Sequence, residues 1–185
     1  HSGEHGDGLT RSEFHLPMFG KRMVDNFTEV KRILDPKGLF NPGKIVDPPK
    51  MDDRRLFRFK PNYTTETFET GLDWSPWGGF ARAVEMCNNN GACRNLNSAS
   101  VMCPSFKVTR DEAHLTRGRA NLLRLGLSGQ LGPDALHSDD MADAMSLCVG
   151  CKGCKRECPV GVDMAAMKIE LQYQRTKRSG ISLHD

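Results

Sequence analysis

One run constrains this chain more than any other stretch: Cys148-Val149-Gly150-Cys151-Lys152-Gly153-Cys154-Lys155-Arg156-Glu157-Cys158-Pro159. It reads C-x2-C-x2-C-x3-C-P, a spacing used by iron–sulfur proteins. Cysteines two residues apart on a tight loop can close thiolates around one cube of iron and sulfide. The fourth, set one residue wider and followed by Pro, turns away and ligates a second cluster. Gly150 and Gly153 let backbone N–H groups approach without a Cβ clash, and Lys152, Lys155 and Arg156 offset the negative charge of a thiolate-bound cluster. A zinc site is the plainer alternative, but zinc favours two separated pairs in tetrahedral closure. The chain has 7 cysteines, an odd number that suits a disulfide framework poorly. The grouping predicts metal ligation in a reducing compartment.

Composition bounds the rest. A length of 185 residues allows one or two small domains, and 38% hydrophobic with 26% charged residues argues against a large continuous core. A formal charge of +3 makes no case for a nucleic-acid partner. No apolar run is long enough to span a membrane, and no secretory signal is visible. The chain opens inside a dense motif without an initiator Met, so it reads as a piece of something longer.

Phe19, Met23, Phe27, Val30 and Leu34 recur at helical spacing, and Asp35-Pro36-Lys37-Gly38 ends that helix. Pro48, Pro49 and Pro61 among charges predict a linker over 48–64, between units at 1–47 and 65–185. A short strand is expected within 65–74, and a helix from Gly79 to Met86 after a start at Ser75-Pro76. Thr109-Arg110-Asp111-Glu112 reads as a capping box opening a helix through Leu115, Leu122, Leu123 and Leu125. Ser138 is expected to cap a helix leading into the cysteine run. Asp163 is expected to cap a last one, with Met164, Met167 and Leu171 inward and Gly180 at its end.

A second cysteine group precedes the run. Cys87 and Cys93 stand as C-x5-C, with Asn90 where a middle cysteine would fall, and Cys103-Pro104 follows. By the crossover logic of the run, Cys148, Cys151 and Cys154 take Cys103 as fourth ligand, giving a [4Fe–4S] cluster. Cys158 then joins Cys87 and Cys93. Three thiolates admit a [3Fe–4S] cluster, a [4Fe–4S] cluster completed by water, hydroxide or Asn90, or nothing. Asn is a hard-oxygen ligand at a thiolate position, which favours [3Fe–4S]. The plain alternative leaves Cys87 and Cys93 as buried bystanders.

In spacing, the two groups resemble the α-helical ferredoxin domain of succinate dehydrogenase iron–sulfur subunits, where a C-x5-C group accompanies a three-iron cluster. Here the groups stand in the opposite order, with a longer insertion, Arg94 to Met102. The domain also resembles the iron–sulfur subunit of anaerobic glycerol-3-phosphate dehydrogenase, through Met102-Cys103-Pro104-Ser105-Phe106, Arg117-Gly118-Arg119-Ala120 and Cys158-Pro159-Val160-Gly161-Val162-Asp163-Met164. Arg117 and Arg119 read either as solvated helix charges or as neutralisers of a cluster or docking groups.

The amino-terminal Ser2-Gly3-Glu4-His5-Gly6-Asp7-Gly8 packs a carboxylate and an imidazole among glycines, chemistry suited to a divalent metal and to proton transfer. Taken alone, a His in such a loop is usually just exposed. With Phe19-Gly20, the Val30 to Gly38 segment and Leu39-Phe40-Asn41-Pro42-Gly43-Lys44-Ile45, it resembles the end of the C-terminal domain of FAD-linked oxidases, the family of D-lactate and D-2-hydroxyglutarate dehydrogenases. That resemblance implies Glu4 as a ligand of a divalent metal, His5 as the base that takes the substrate's proton, and Asn41 near the flavin. The family's other metal ligands and its FAD-binding domain lie upstream, so this polypeptide alone is expected to be inactive.

The expected fold is therefore mainly α: a short helical tail of an FAD-linked oxidase C-terminal domain, then an α-helical ferredoxin-like two-cluster domain. The expected role is electron transfer from reduced flavin to a downstream acceptor, in a protein that is cytoplasmic or peripheral to the inner membrane. Its partners would be an upstream FAD-binding domain and that acceptor. A zinc-stabilised interaction module and an iron–sulfur subunit serving a glycerol-3-phosphate dehydrogenase-like flavoprotein are the alternatives.

Overall fold

The computed structural model describes residues 4–181, so His1, Ser2 and Gly3 of the amino-terminal stretch lie outside the described residues. The chain divides into two compact units between Tyr63 and Thr64. Among the described residues it is helical, with no β-strand.

The first unit holds α1 (Gly8–Arg11) and α2 (His15–Leu34), joined by a 3-10 turn at Ser12–Phe14. The predicted helix is present, but Gly20 at φ 76° and ψ 165° interrupts it, a conformation that glycine reaches without a Cβ clash. Its apolar face is not covered: Phe19, Met23, Val30 and Leu34 are all exposed. The helix ends as the sequence requires. Asp35 accepts the N–H groups of Leu39 and Phe40, both at 2.9 Å, and pairs with Lys31 Nζ at 2.5 Å. Residues expected to begin a linker fold onto this unit, since Glu13 accepts the Met51 N–H at 2.8 Å and pairs with Lys50 at 3.1 Å.

The second unit is built from α3 (Phe80–Glu85), α4 (Pro104–Thr109), α5 (Thr116–Leu127), α6 (Asp139–Ser146), α7 (Gly153–Glu157) and α8 (Met164–Ser179). α5 is the centre, packing against α3, α6 and α8. Leu115, Leu123, Met141, Met164 and Met167 are no more than 1% exposed, and each such burial is worth roughly 1.5–3 kcal/mol. Two predicted caps are present. Ser138 Oγ accepts the Met141 N–H at 3.2 Å, and Asp163 Oδ1 accepts the Ala166 N–H at 3.1 Å.

Two expectations fail here. Residues 65–74 form no strand. Their polar backbone is satisfied by side chains and a helix end instead: Glu66 N–H donates to Leu127 O at 2.7 Å, and the Gly71 and Leu72 N–H groups donate to Glu170 at 3.1 and 3.0 Å. Glu170 is fully buried and also accepts Trp74 Nε1–H at 2.9 Å and Gln174 Nε2–H at 2.8 Å. The second failure is the capping box at Thr109. Thr109 closes α4, Asp111 caps a separate 3-10 turn at Glu112–His114, and α5 starts later, at Thr116. Gly118 explains the tight junction: a Cβ there would lie 2.0 Å from Glu112 O.

Candidate metal centre

The loop after α6 and the short α7 carry Cys148, Cys151 and Cys154, and the residue before α4 is Cys103. All four line one cavity, together with Thr116, Arg119 and Met164. Cys103 and Cys154 are buried, Cys148 is half-buried and Cys151 is exposed. Two helix starts point at the sulfurs. The Thr116 N–H donates to Cys103 Sγ at 3.2 Å, with its hydroxyl 3.0 Å from the same atom, and the Met164 N–H donates to Cys154 Sγ at 3.3 Å. These residues open α5 and α8, where N–H groups lack helical partners and the helix dipole favours negative charge.

Burial pushes the thiols of Cys103 and Cys154 up, opposed by the Thr116 hydroxyl and amide at the first and the Met164 amide at the second. Desolvation resists a bare thiolate, while the N–H donors and a nearby cation wait for negative charge. That combination suits a group that binds as thiolate and stays anionic overall. By donor set and environment, these residues fit an iron–sulfur cluster.

The cation is Arg119, only 1% exposed. Its Nε donates to Ala144 O at 2.6 Å and its Nη2 to Ser105 Oγ at 3.2 Å. Burial lowers its pKa, and Cys148, Cys103 and Cys154 act in the opposite sense. Arg119 is therefore no solvated surface charge. The basic residues of the run itself are exposed, and Lys155 is paired with Asp163 at 3.2 Å.

Sequence reasoning passed over Glu157, the one acid among those bases. Its carboxylate accepts Ser100 Oγ–H at 2.6 Å and the Val101 and Met102 N–H groups at 2.8 and 2.9 Å. The Ser100 hydroxyl, then the two amides, hold its pKa down at about 2. The Arg94–Met102 insertion is thus clamped to α7 immediately before Cys103. Gly153 permits the approach, since a Cβ there would lie 3.2 Å from Val101 Cγ1 and 3.3 Å from Met102 N.

Cys87 and Cys93 are both buried. Burial pushes the Cys93 thiol up to about 11, against the Arg117 backbone N–H, while neighbouring Cys103 and Cys87 add to the rise. Arg117 reaches the loop between them: its Nη1 donates to Asn89 O at 3.4 Å, and its Nε donates to Glu112 at 2.5 Å. Asn90 is exposed and spent on local turns, accepting the Ala92 N–H at 2.8 Å and donating to Asn88 at 2.6 Å. Cys158 ends α7, half-buried against the same core.

The amino-terminal candidates are placed differently. Glu4 and His5 are exposed, with Nε2 of His5 3.9 Å from Glu4 Oε2. Asn41 is exposed at φ 47°, a left-handed conformation asparagine tolerates, and accepts Lys44 Nζ–H at 3.4 Å. A pairing the sequence did not nominate also stands in this unit: buried His15 places Nε2 2.7 Å from Oδ2 of half-buried Asp7. Among the described residues, no three His, Cys, Asp or Glu converge as a single-ion site.

Residues 83–162 match the 4Fe-4S dicluster domain, and residues 1–45 match the C-terminal domain of FAD linked oxidases. The chain is 32% identical over 211 residues to a D-2-hydroxyglutarate dehydrogenase of Pseudomonas putida, and 30% identical over 211 residues to one of Escherichia coli. Each alignment covers 95% of this chain and 20% of the relative, so the chain spans about a fifth of the length of these curated relatives. A probable glycolate oxidase iron-sulfur subunit of Bacillus subtilis is 36% identical over 91 residues, 47% of this chain and 20% of that protein. No solved structure matches.

Proposed function

From a chain that joins a segment of the FAD linked oxidase C-terminal domain to a 4Fe-4S dicluster domain, we propose that this is the electron-transfer part of an FAD-dependent 2-hydroxy acid dehydrogenase. The relatives' names make D-2-hydroxyglutarate the first substrate to test. When bound, iron–sulfur clusters supply one-electron steps between a two-electron flavin and a downstream acceptor. The observation that carries the reading is the cavity lined by Cys103, Cys148, Cys151 and Cys154.

In this reading those four cysteines hold a [4Fe–4S] cluster, and Cys87, Cys93 and Cys158 hold a second, three-iron or incomplete, cluster. The chain's own residues do three things. Thr116 and Met164 orient sulfurs with backbone N–H groups, Glu157 fixes the approach to Cys103, and buried Cys103, Cys154 and Arg119 close the inner side of the cavity, with the 148–152 loop toward solvent. The domain bounds follow the reading: an oxidase tail over 1–47, a joining segment over 48–64 and the cluster domain over 65–185. In the oxidase part, Glu4 ligates a divalent metal, His5 takes the substrate proton and Asn41 lies near the flavin, all completed by an upstream FAD-binding domain. Among the described residues no helix is long and apolar enough to cross a membrane, and the proposed setting is cytoplasmic or peripheral to the inner membrane.

Iron and acid-labile sulfide per chain, measured after anaerobic purification, test this directly. Both are expected, with a three-iron paramagnetic resonance signal in the oxidised protein. Zinc without sulfide after anaerobic reconstitution would overturn the cluster reading. The polypeptide alone is expected neither to bind FAD tightly nor to oxidise 2-hydroxy acids. Robust turnover by it would remove the need for upstream ligands.

A further inference from the structure

The first turn of α5, Thr116-Arg117-Gly118-Arg119, touches both cysteine groups from a single helix start. We infer that this turn sets the reduction potentials of the two clusters separately, Arg119 acting on the four-cysteine site and Arg117 on the C-x5-C site. The inference rests on the cluster reading above.

The placement is specific. Thr116 meets Cys103 Sγ through both amide and hydroxyl, and Arg119 lines the cavity of Cys103, Cys148, Cys151 and Cys154. Arg117 lies on the other side of the turn. Its Nη1 donates to Asn89 O between Cys87 and Cys93, and sits 3.1 Å from where a Cβ on Gly91 would stand. Gly118, between the two arginines, lets the Glu112–His114 turn close against the helix, and Glu112 then binds Arg117.

The physics gives a sign and an order. Electron uptake adds negative charge, so a fixed cation nearby favours the reduced state and raises the potential. Net charge and hydrogen bonds to sulfur are the protein's main means of tuning it. Arg119 is buried, and among the described residues its guanidinium bonds Ala144 O and Ser105 Oγ rather than a carboxylate. Arg117 is half-buried and partly neutralised by Glu112. A charge in low dielectric without a counter-ion acts more strongly than a paired one near water. Arg119 therefore has the larger effect, and the exposed Lys152 and Arg156, which the sequence nominates, have less.

The test is a redox titration of the full-length protein followed by electron paramagnetic resonance, with iron and sulfide counted in every variant. Arg119→Gln is expected to lower the potential of the reduced-state four-iron signal and leave the oxidised-state three-iron signal in place, while Arg119→Lys restores most of it. Arg117→Gln is expected to lower the potential of the three-iron signal alone, by less. Unchanged potentials, or both signals moving together in each variant, overturn the inference while the cluster reading stands. Wild-type protein without iron and sulfide overturns the cluster reading itself. If Arg119→Gln loses its iron, Arg119→Lys and the half-buried Arg117→Gln decide the question by the same criteria.

Discussion

The two units hold themselves together by different means. In residues 64–181 apolar side chains are buried around α5, and even the charged groups Arg119 and Glu170 lie inside. Among the described side chains of residues 4–63, the buried ones are the polar Ser12, His15 and Asp35, while Phe19, Ile33, Leu34 and Phe40 face outward. The second unit has the core and interior polar network of an independent domain. The first relies on local hydrogen bonds and ion pairs around one interrupted helix. A chain of similar overall composition can therefore contain one region that buries its apolar residues and another that displays them.

The largest expected effect is at Glu170. Glu170→Ala leaves the Gly71, Leu72 and Trp74 donors without their acceptor in the interior, and is expected to cost about 3 kcal/mol, the scale of unsatisfied buried donors. Both tryptophans, Trp74 and Trp77, lie in the second unit, so fluorescence during urea unfolding reads that unit alone. An unchanged midpoint would break the contrast. Next comes Glu157→Ala, which releases Ser100, Val101 and Met102 from α7. Iron per chain is expected to fall, with unfolding in the metal-free form little altered. Equal loss in both would make the clamp a general stabiliser.

Acid provides the third comparison. Asp35 is held at about 2, below its usual 3.8, first by Lys31 and also by the Phe40 and Leu39 amides. A depressed carboxyl stabilises fully above its usual value, and that stabilisation is lost as pH falls from about 4 to 2. The turn after α2 is expected to open over that range, seen as faster amide exchange at Leu39 and Phe40. The smallest effect belongs to Ile33→Ser. That side chain is 69% exposed, and its change is expected to stay within about 0.5 kcal/mol. A larger loss would mean that the outward apolar face of α2 is covered in solution.

The gathering of Cys148, Cys151 and Cys154 along one cavity was legible because their spacing is local, and the Ser138 and Asp163 caps because a cap is decided within three residues. The expected strand at 65–74 failed for the opposite reason. Threonines and Phe68 suit an extended chain, but what satisfies that backbone is Glu170, nearly a hundred positions away, and no local pattern shows it. Arg119 was ambiguous in sequence because burial, which makes it matter, depends on Gly118 and on how closely the 112–114 turn approaches. Glu157 was hidden among bases that looked more suited to an anion. Glu4 and His5 show a motif readable in letters alone, and both side chains are exposed.

The Glu170 latch also bears on how this polypeptide is made. Its carboxylate accepts hydrogen bonds from residues 71, 72 and 74, so these distant segments of the second unit meet only after the ribosome has passed Glu170 in α8. Such long closures are slow to form and leave earlier segments waiting in the nascent chain.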